Sequence, residues 1–291
     1  MRERYELIKD YRNNETVRLS FNRLAGKTFG LDFEDWYRNG FWGDSYNPYS
    51  AVVNGEVVAN VSVNKTDFSY GGKILHFLQL GTVMTEKEYR KQGLIREIIG
   101  AIEKDVEGKA DGIYLFANDS VLDFYPKFGF RRSAEYQYGK KVSNKGGCQL
   151  EKVVMDNPAA WERLEDAIER NLFHGKLDLV RNPGLIMFYV TKFMQESVYF
   201  HKATDTFVIA DVKDGCLFLH NIFSTKIKEA GQAIEWFGEE IQEAVLGFVP
   251  MDAEEYEVTE IREEDCTFFI KGDGLQIVEE EKLRIPSLAH A

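Results

Sequence analysis

The stretch from Phe77 to Val106 constrains the fold of this chain more than any other part of the sequence. An apolar strand ending at Met84 leads into a basic turn around Gly93, and a helix follows whose apolar residues recur on one face. The first turn of a helix has unpaired N–H groups and the positive end of the dipole, which attract phosphate. Positive charge comes from Arg90, Lys91 and Arg96. The stretch therefore predicts a phosphate-holding turn between a strand and a helix.

The turn resembles motif A of the GNAT acyltransferases, Arg/Gln-x-x-Gly-x-Gly/Ala. Here that motif reads Arg90-Lys91-Gln92-Gly93-Leu94-Ile95. The spacing differs from that of a Walker P-loop and from Gly-x-Gly-x-x-Gly. Ile95 stands where most members of the family carry a small residue. The variant Gly93 to Arg96 is similar to the enhanced-intracellular-survival type of aminoglycoside acetyltransferase and its bacterial relatives.

A second match lies downstream of the next predicted strand, Gly112 to Ala117. The segment from Asn118 to Phe130 resembles the GNAT motif B ending, Asn-x(6)-Tyr-x-x-x-Gly-Phe, with its tyrosine at Tyr125. Because the two motifs occur in the right order, the chain is identified as a member of the GNAT family. The resemblance implies an α+β protein with the GNAT acyl-CoA N-acyltransferase fold, a mixed and mostly antiparallel sheet flanked by helices.

The length of 291 residues allows two domains. We predict a GNAT acetyltransferase domain over residues 1–142, which begins with a helix and ends with a strand near 135–142. Residues 143–147 are read as a linker. Residues 148–291 contain predicted helices at about 161–173 and 226–246 and several strands, but no motif. We interpret this half as a degenerate GNAT-like α+β domain, with another α+β module, such as a sterol-carrier-like domain, as the alternative.

The resemblance also implies acetyl-CoA as co-substrate and an amine as acceptor, with no metal. Carried over residue by residue, Tyr125 is the catalytic acid that protonates the departing thiolate, since a phenol with a pKa of about 10 can do so. The residues implied to bind acetyl-CoA are Val83, Met84, Thr85, Arg90, Lys91, Gln92, Gly93, Leu94, Ile95, Arg96 and Asn118.

The general base is not evident from the sequence. Gln79 lies eleven residues before Arg90, where some GNAT enzymes carry a glutamate, and an amide cannot take a proton. A water held by Gln79 and relaying to His76 or to a distant carboxylate is one hypothesis. The carboxylate after Ala291 is another, because in relatives of the survival-protein type the C-terminus enters the first active site.

The segment from 28 to 50 is unusually rich in aromatic rings interleaved with carboxylates. Such a mixture suits a protonated amine through cation–π and ion-pair contacts, although the same rings could simply pack a helix onto the sheet. We predict that Trp36, Tyr37, Trp42 and Gln79 form the acceptor side. A small cationic amine and an exposed protein amine fit this segment equally well.

The formal net charge of −12 argues against nucleic acid as a partner, because phosphates require clustered Lys and Arg. No apolar run is long enough to span a membrane, and the start of the chain does not resemble a signal peptide. Three scattered cysteines predict buried thiols in a reducing cytoplasm. The pattern leaves open a homo-oligomer, and also a non-catalytic acyl-CoA sensor in place of an enzyme.

Overall fold

The computed structural model describes residues 4–227 and 229–290. The strands are β1 (Glu6–Ile8), β2 (Tyr46–Val53), β3 (Glu56–Tyr70), β4 (Lys73–Thr85), β5 (Gly112–Ala117), β6 (Arg131–Arg132), β7 (Tyr136–Lys141), β8 (Glu151–Lys152), β9 (Leu177–Leu179), β10 (Val198–His201), β11 (Thr206–Lys213), β12 (Cys216–Phe223), β13 (Glu243–Leu246), β14 (Glu257–Glu260) and β15 (Thr267–Lys271). The α-helices are α1 (Glu15–Phe29), α2 (Glu34–Arg38), α3 (Leu94–Val106), α4 (Pro158–Glu169), α5 (Pro183–Lys192), α6 (Ala230–Glu235) and α7 (Gln276–Glu280).

The first sheet has the order β1-β2-β3-β4-β5-β15-β6, with β9 added to β3. Its hairpins follow from the turn residues. Asn54 and Gly55 both adopt positive φ between β2 and β3, as does the Gly71-Gly72 pair between β3 and β4. Strands β1 to β4 are antiparallel, whereas β4 and β5 run parallel and are connected by α3.

The two faces of the first sheet are covered by different material. The amphipathic helix α3 packs Leu94, Ile98, Ile99 and Ile102 against one face. The other face carries α1, residues 28–50 (which we call the aromatic segment) and part of the second half of the chain. All of these lie within one continuous hydrophobic core. The halves therefore share a core across this face.

The second sheet has the order β14-β7-β13-β12-β11-β10-β8. Two strands exchange between the halves. Strand β7 from the first half lies between β13 and β14 of the second sheet, and β15 from the second half lies between β5 and β6 of the first. With this exchange, each sheet has four antiparallel strands, a fifth strand parallel to the fourth, and a final pair that includes the exchanged strand.

Several predictions for secondary structure are corrected. The chain begins with strand β1 before its first helix, and the strand near 135–142 exists as β7 but completes the second sheet rather than the first. The long helix expected over 226–246 is the short helix α6 followed by strand β13. Strand β13 lies between two other strands, so tertiary pairing overrides the local helix-like pattern there.

The cysteine prediction is also corrected. Cys148 is exposed, and Cys216 and Cys266 are half-buried; all three are free thiols. Among the described residues, no helix is both long and apolar enough to cross a membrane.

Candidate active site

The centre of the first sheet opens between two neighbouring parallel strands. Strands β4 and β5 pair only from Phe77 to Gln79 with residues 112–114. Beyond this point β4 continues to Thr85 and β5 to Ala117. Within the described part of the chain, their facing edges pair with no other strand, so backbone N–H and C=O groups are available to a ligand. We call this opening the β4–β5 cleft.

A β-bulge shapes the β4 side of the cleft. Two residues of β4, Thr82 and Val83, oppose the single residue Val61 of β3, and Thr82 adopts φ 48°. A β-branched residue with positive φ is strained, so its surroundings must hold it. Buried Asn60 does so: its side-chain Nδ2 donates to the carbonyl of Thr82 at 2.9 Å.

The polar network around the bulge extends towards the face of the sheet that lies opposite α3. The hydroxyl of Tyr46 lies 2.9 Å from both Ser62 Oγ and Thr82 Oγ1, and Asn60 Nδ2 also donates to Ser62 Oγ at 2.9 Å. Because all of these groups are hydrogen-bonded, the network fixes the bulge in one geometry.

The predicted phosphate turn has the geometry that the sequence indicates. Lys91 and Gly93 adopt φ 61° and 88°, and helix α3 begins directly after Gly93 without a side-chain cap. The first helical hydrogen bond runs from Glu97 N to Gly93 O at 3.2 Å. The N–H groups of residues 94–96 therefore point out of the helix start, where an anion can accept from them.

Two side chains of this turn stabilise it from within. Arg90 Nε donates to the carbonyl of Thr85 at 3.1 Å, and Gln92 Nε2 donates to the carbonyl of Glu88 at 3.0 Å. Lys91 and Arg96 are exposed, with the Arg96 guanidinium 5.1 Å from the ring centre of Phe128. The first pair shapes the turn, whereas the second pair supplies positive charge at its surface.

Tyr125 lies on the α3 side of the first sheet, where it is 5% exposed. It begins the 3₁₀ turn Tyr125–Phe128 and packs among the rings of Phe124, Phe130 and Phe269. Burial alone raises the pKa of Tyr125 to about 12, so the phenol stays protonated at neutral pH. Of these rings, Phe269 comes from the exchanged strand β15.

Asn118 lies at the carboxyl end of β5, and its side chain is exposed. Its Nδ2 is 3.5 Å from the carbonyl of Asp265, and the next residue, Asp119, donates from its backbone N to Asp265 Oδ1 at 2.9 Å. The loop that leads into β15 therefore positions this end of the cleft.

A cavity of about 260 Å³ adjoins the bulge on the face opposite α3, and we call it the ring-lined cavity. The first half contributes aromatic rings and the strand residues Ser62, Asn64, Gly81 and Thr82. The second half contributes Glu165 of α4, residues 181–185 around the start of α5, and Phe188. The rings at its wall are Phe33, Trp36, Phe41, Tyr46 and Phe188.

Close packing fixes α5 against the aromatic segment. Trp36 Nε1 donates to the carbonyl of Gly184 at 2.8 Å. A Cβ on Gly184 would lie 2.4 Å from the carbonyl oxygen of Phe41, so only glycine fits. Asn182 caps α5 by accepting from Leu185 N and also donates to the carbonyl of Lys65. The cavity walls are therefore preformed.

Of the four residues predicted for the acceptor side, Trp36 lines this cavity. Tyr37 instead packs on the guanidinium of Arg18, 3.8 Å from the ring centre, and Trp42 is buried with its Nε1 donating to the carbonyl of Tyr46. Both rings support the wall from behind, because they pack the segment onto the core rather than face the cavity.

Gln79 is fully buried on the face opposite α3 and lies between Asn64 of β3 and Tyr114 of β5 in the strand register. His76 is three residues earlier on β4, so it points to the other face, where it pairs with Asp67 at 2.8 Å on the surface. The relay from Gln79 to His76 is therefore wrong. The other hypothesis, the carboxylate after Ala291, lies outside the described residues.

Asn64, Glu165 and Phe188 were not predicted as site residues from the sequence. Asn64 is one of a run of buried residues in β3, and nothing in the pattern sets it apart. Glu165 and Phe188 belong to helices far along the chain that carry no motif. Residues 4–227 and 229–290 contain no group of three His, Cys, Asp or Glu side chains placed to hold a metal ion.

The cleft, the glycine turn and Tyr125 agree with the comparison of the sequence with protein families. Residues 14–133 match the family model described as an acetyltransferase (GNAT) domain. The chain carries a GNAT acetyltransferase domain. The match ends before β7, which is the strand of the first half that pairs within the second sheet. The acetyltransferase class is accordingly shown for the domain over residues 14–133.

Solved structures share the fold of this protein across both halves. A conserved protein from Enterococcus faecalis V583, described as a probable N-acyltransferase, aligns with a TM-score of 0.58 and 13% identity over 94% of this chain and 74% of its own. Eis1 from Mycobacterium abscessus aligns with a TM-score of 0.57 and 13% identity, over 91% of this chain and 73% of its own.

A GCN5-related N-acetyltransferase from Kribbella flavida aligns with a TM-score of 0.55 and 17% identity, over 92% of this chain and 72% of its own. No curated protein sequence matches the chain significantly. At these identities the structural matches establish the fold, and the chemistry has to be argued from the site itself.

Proposed function

We propose that the protein transfers an acetyl group from acetyl-CoA to a primary amine by direct attack of the amine on the thioester. The observation that carries the proposal is the β4–β5 cleft, which opens directly between the phosphate turn and the ring-lined cavity. Pantetheine would pair with the free edge of β4 at Val83, Met84 and Thr85. The pyrophosphate would accept from the N–H groups after Gly93, while Lys91 and Arg96 add charge.

Each step of the reaction has a group to support it. The amine nitrogen forms a bond to the thioester carbon, and a backbone N–H at the bulge would stabilise the developing oxyanion. The carbon–sulfur bond then breaks, and Tyr125 would donate its proton to the thiolate. The proton that the attacking nitrogen must lose to become an amide would restore the phenol. With a pKa of about 12, Tyr125 is protonated at neutral pH and can act as the proton donor.

The second half would serve this reaction rather than bind its own cofactor. We infer that residues 148–291 are a degenerate GNAT-like domain, since the second sheet repeats the strand order of the first. Because of the exchange of β7 and β15, the boundary between residues 142 and 148 separates the chain into halves but not into independent folding units.

The test measures acetyl-CoA consumption as free thiol release across a panel of primary amines, with calorimetric CoA binding alongside. We expect CoA binding and turnover with at least one amine. CoA binding without turnover on any small amine or peptide would favour the acyl-CoA sensor instead. Absence of CoA binding would show that the glycine turn, with Ile95 in place of a small residue, does not hold the cofactor.

A further inference from the structure

The ring-lined cavity has a composition that selects among amines. Its volume of about 260 Å³ lies just below the usual range for ligand pockets, roughly 300–1,000 Å³. Its rings hold one another rigidly: Phe33 stacks on Phe188 at 5.4 Å, and Trp36 meets Tyr46 edge-on at 5.4 Å. Such a cavity accepts a flat apolar body of about one ring.

The charges at the wall balance. Among the described residues that line the cavity, Glu165 is the one carboxylate and Arg181 the one cation. The acidic residues of the segment 28–50 do not line the cavity, and two of them, Glu34 and Asp44, pair with Arg18 and Arg12 at 3.0 Å. A ligand with three or four ammonium groups would therefore find a single carboxylate.

Glu165 itself is positioned for a cation. Its side chain is half-buried on α4, and it forms no ion pair with any residue that the structure describes. Burial, followed by the neighbouring carboxylates Glu162 and Glu169, raises its pKa. A half-buried carboxylate without a partner is stabilised by a cation that enters the cavity.

A second polar group at the wall also lacks a partner. Asn64 is 4% exposed, and within the described chain its Nδ2 has no hydrogen-bond acceptor. Leaving a buried amide N–H unpaired is unfavourable, because the group has lost its water and gained no acceptor. Asn64 thus indicates that an occupant with a polar atom belongs in this cavity, next to the β4 bulge.

We propose that the acceptor is a compact primary monoamine with an aromatic body, held by the rings around Trp36 and by an ion pair with Glu165. This inference rests on the proposed function and narrows its acceptor from any amine to one class. A polyamine, or a lysine on a folded protein, is the alternative that the cavity disfavours, the first because of its several charges and the second because an aliphatic arm cannot stack on the rings.

The experiment is calorimetric titration of the full-length protein saturated with CoA, with phenethylamine and with spermidine. We expect phenethylamine to bind at least tenfold more tightly than spermidine. Glu165→Gln should weaken phenethylamine binding about tenfold or more. Glu162→Gln, an exposed carboxylate one turn earlier on the same helix, should leave it within twofold.

The neutral analogue 2-phenylethanol separates the ion pair from a general packing defect. It should bind the parent and the Glu165→Gln variant equally, because it carries no charge for Glu165 to meet. Equal losses for amine and alcohol would mean that the substitution had altered the cavity rather than removed an ion pair, and would overturn the role given to Glu165.

Failure of this inference can be told apart from failure of the proposed function. Thiol release with spermidine or a lysine peptide, together with weak phenethylamine binding, would overturn the acceptor class and leave the transferase intact. Tight and Glu165-dependent phenethylamine binding with no thiol release on any amine would support the cavity assignment and overturn the transferase.

Discussion

The two sheets of the protein have the same strand order but differ where the fourth and fifth strands meet. In the first sheet β4 and β5 pair over three residues and then separate. In the second sheet β13 pairs with β12 along its whole length, and Gly247 N extends the pairing to the carbonyl of Leu219. The first junction leaves a cleft, whereas the second is closed.

The tail of the chain also contributes to the difference. Ser287 N donates to the carbonyl of Gly247 at 2.7 Å, and His220 Nδ1 lies 3.1 Å from Ser287 Oγ. The backbone groups that a cofactor would use are therefore already paired in the second sheet. The helix that follows its fourth strand has six residues, against 13 for α3, and no glycine turn precedes it. Strand order alone does not make an acyl-CoA site.

The largest expected effect comes from separating the sheets. A fragment of residues 1–142 lacks β15, which buries Phe268, Phe269 and Ile270 beside β5. Without the burial that these three side chains contribute, the fragment loses roughly 5–9 kcal/mol, which is comparable to the whole stability of a domain. We expect no cooperative thermal transition by circular dichroism. A cooperative transition in this fragment would show that the first sheet does not depend on the exchanged strand.

Removal of the acid should have the next largest effect. Tyr125→Phe should lower kcat by about a hundredfold or more, because proton transfer contributes roughly 10²–10⁴, while calorimetric CoA affinity stays unchanged. Tyr49→Phe, on the same face but bonded to Asp105, serves as the control and should keep full activity. The parent should show no loss of kcat from Tyr125 titration below about pH 10, because burial raises its pKa to about 12.

A pair of glycines on one helix tests the turn. Gly93 has φ 88°, so Gly93→Ala should cost about 1–2 kcal/mol of stability, and CoA should bind several-fold more weakly if the backbone shifts to relieve the strain. Gly100 is exposed within α3 with space for a Cβ. Gly100→Ala should stabilise the protein by up to about 1 kcal/mol and leave CoA binding unchanged. Equal CoA affinities in both variants would remove Gly93 from the phosphate site.

The most local expected effect is a change in the pH dependence of stability, at the point where the second sheet meets residues 283–290. Glu135 is 5% exposed and accepts from Ile285 N at 2.7 Å. Burial raises its pKa to about 8, despite the nearby Arg284. In the unfolded chain a glutamate titrates near pH 4.3. The native state therefore holds the extra proton between these values, and stability falls as the pH rises through this window.

Glu135→Gln cannot titrate, so its stability should change less between pH 5 and pH 8 than that of the parent. The parent should lose up to about 1.4 kcal/mol per pH unit from this group, as measured by urea denaturation. Glu264→Gln, an exposed neighbour of the same charge, should follow the parent. Parallel curves for Glu135→Gln and the parent would contradict the assignment of a raised pKa.

Features that depend on neighbouring residues along the chain could be predicted from the sequence alone. The strand, the Gly93 turn and α3 are consecutive, as are β5 and Tyr125, so local geometry and motif spacing suffice to predict them. The Asn54-Gly55 hairpin is correct for the same reason, since the turn residues themselves require positive φ.

Contacts between residues from distant parts of the chain depend on tertiary packing, and the sequence pattern does not predict them. Strands β7 and β15 exchange sheets although each looks like an ordinary strand, because strand pairing depends on available edges and not on local sequence. In the same way Glu165 and Phe188 reach the cavity through the packing of α4 and α5. Trp42 is buried behind the cavity wall, whereas Trp36 lines the cavity. The sequence shows both only as aromatic residues of the same segment and does not distinguish them.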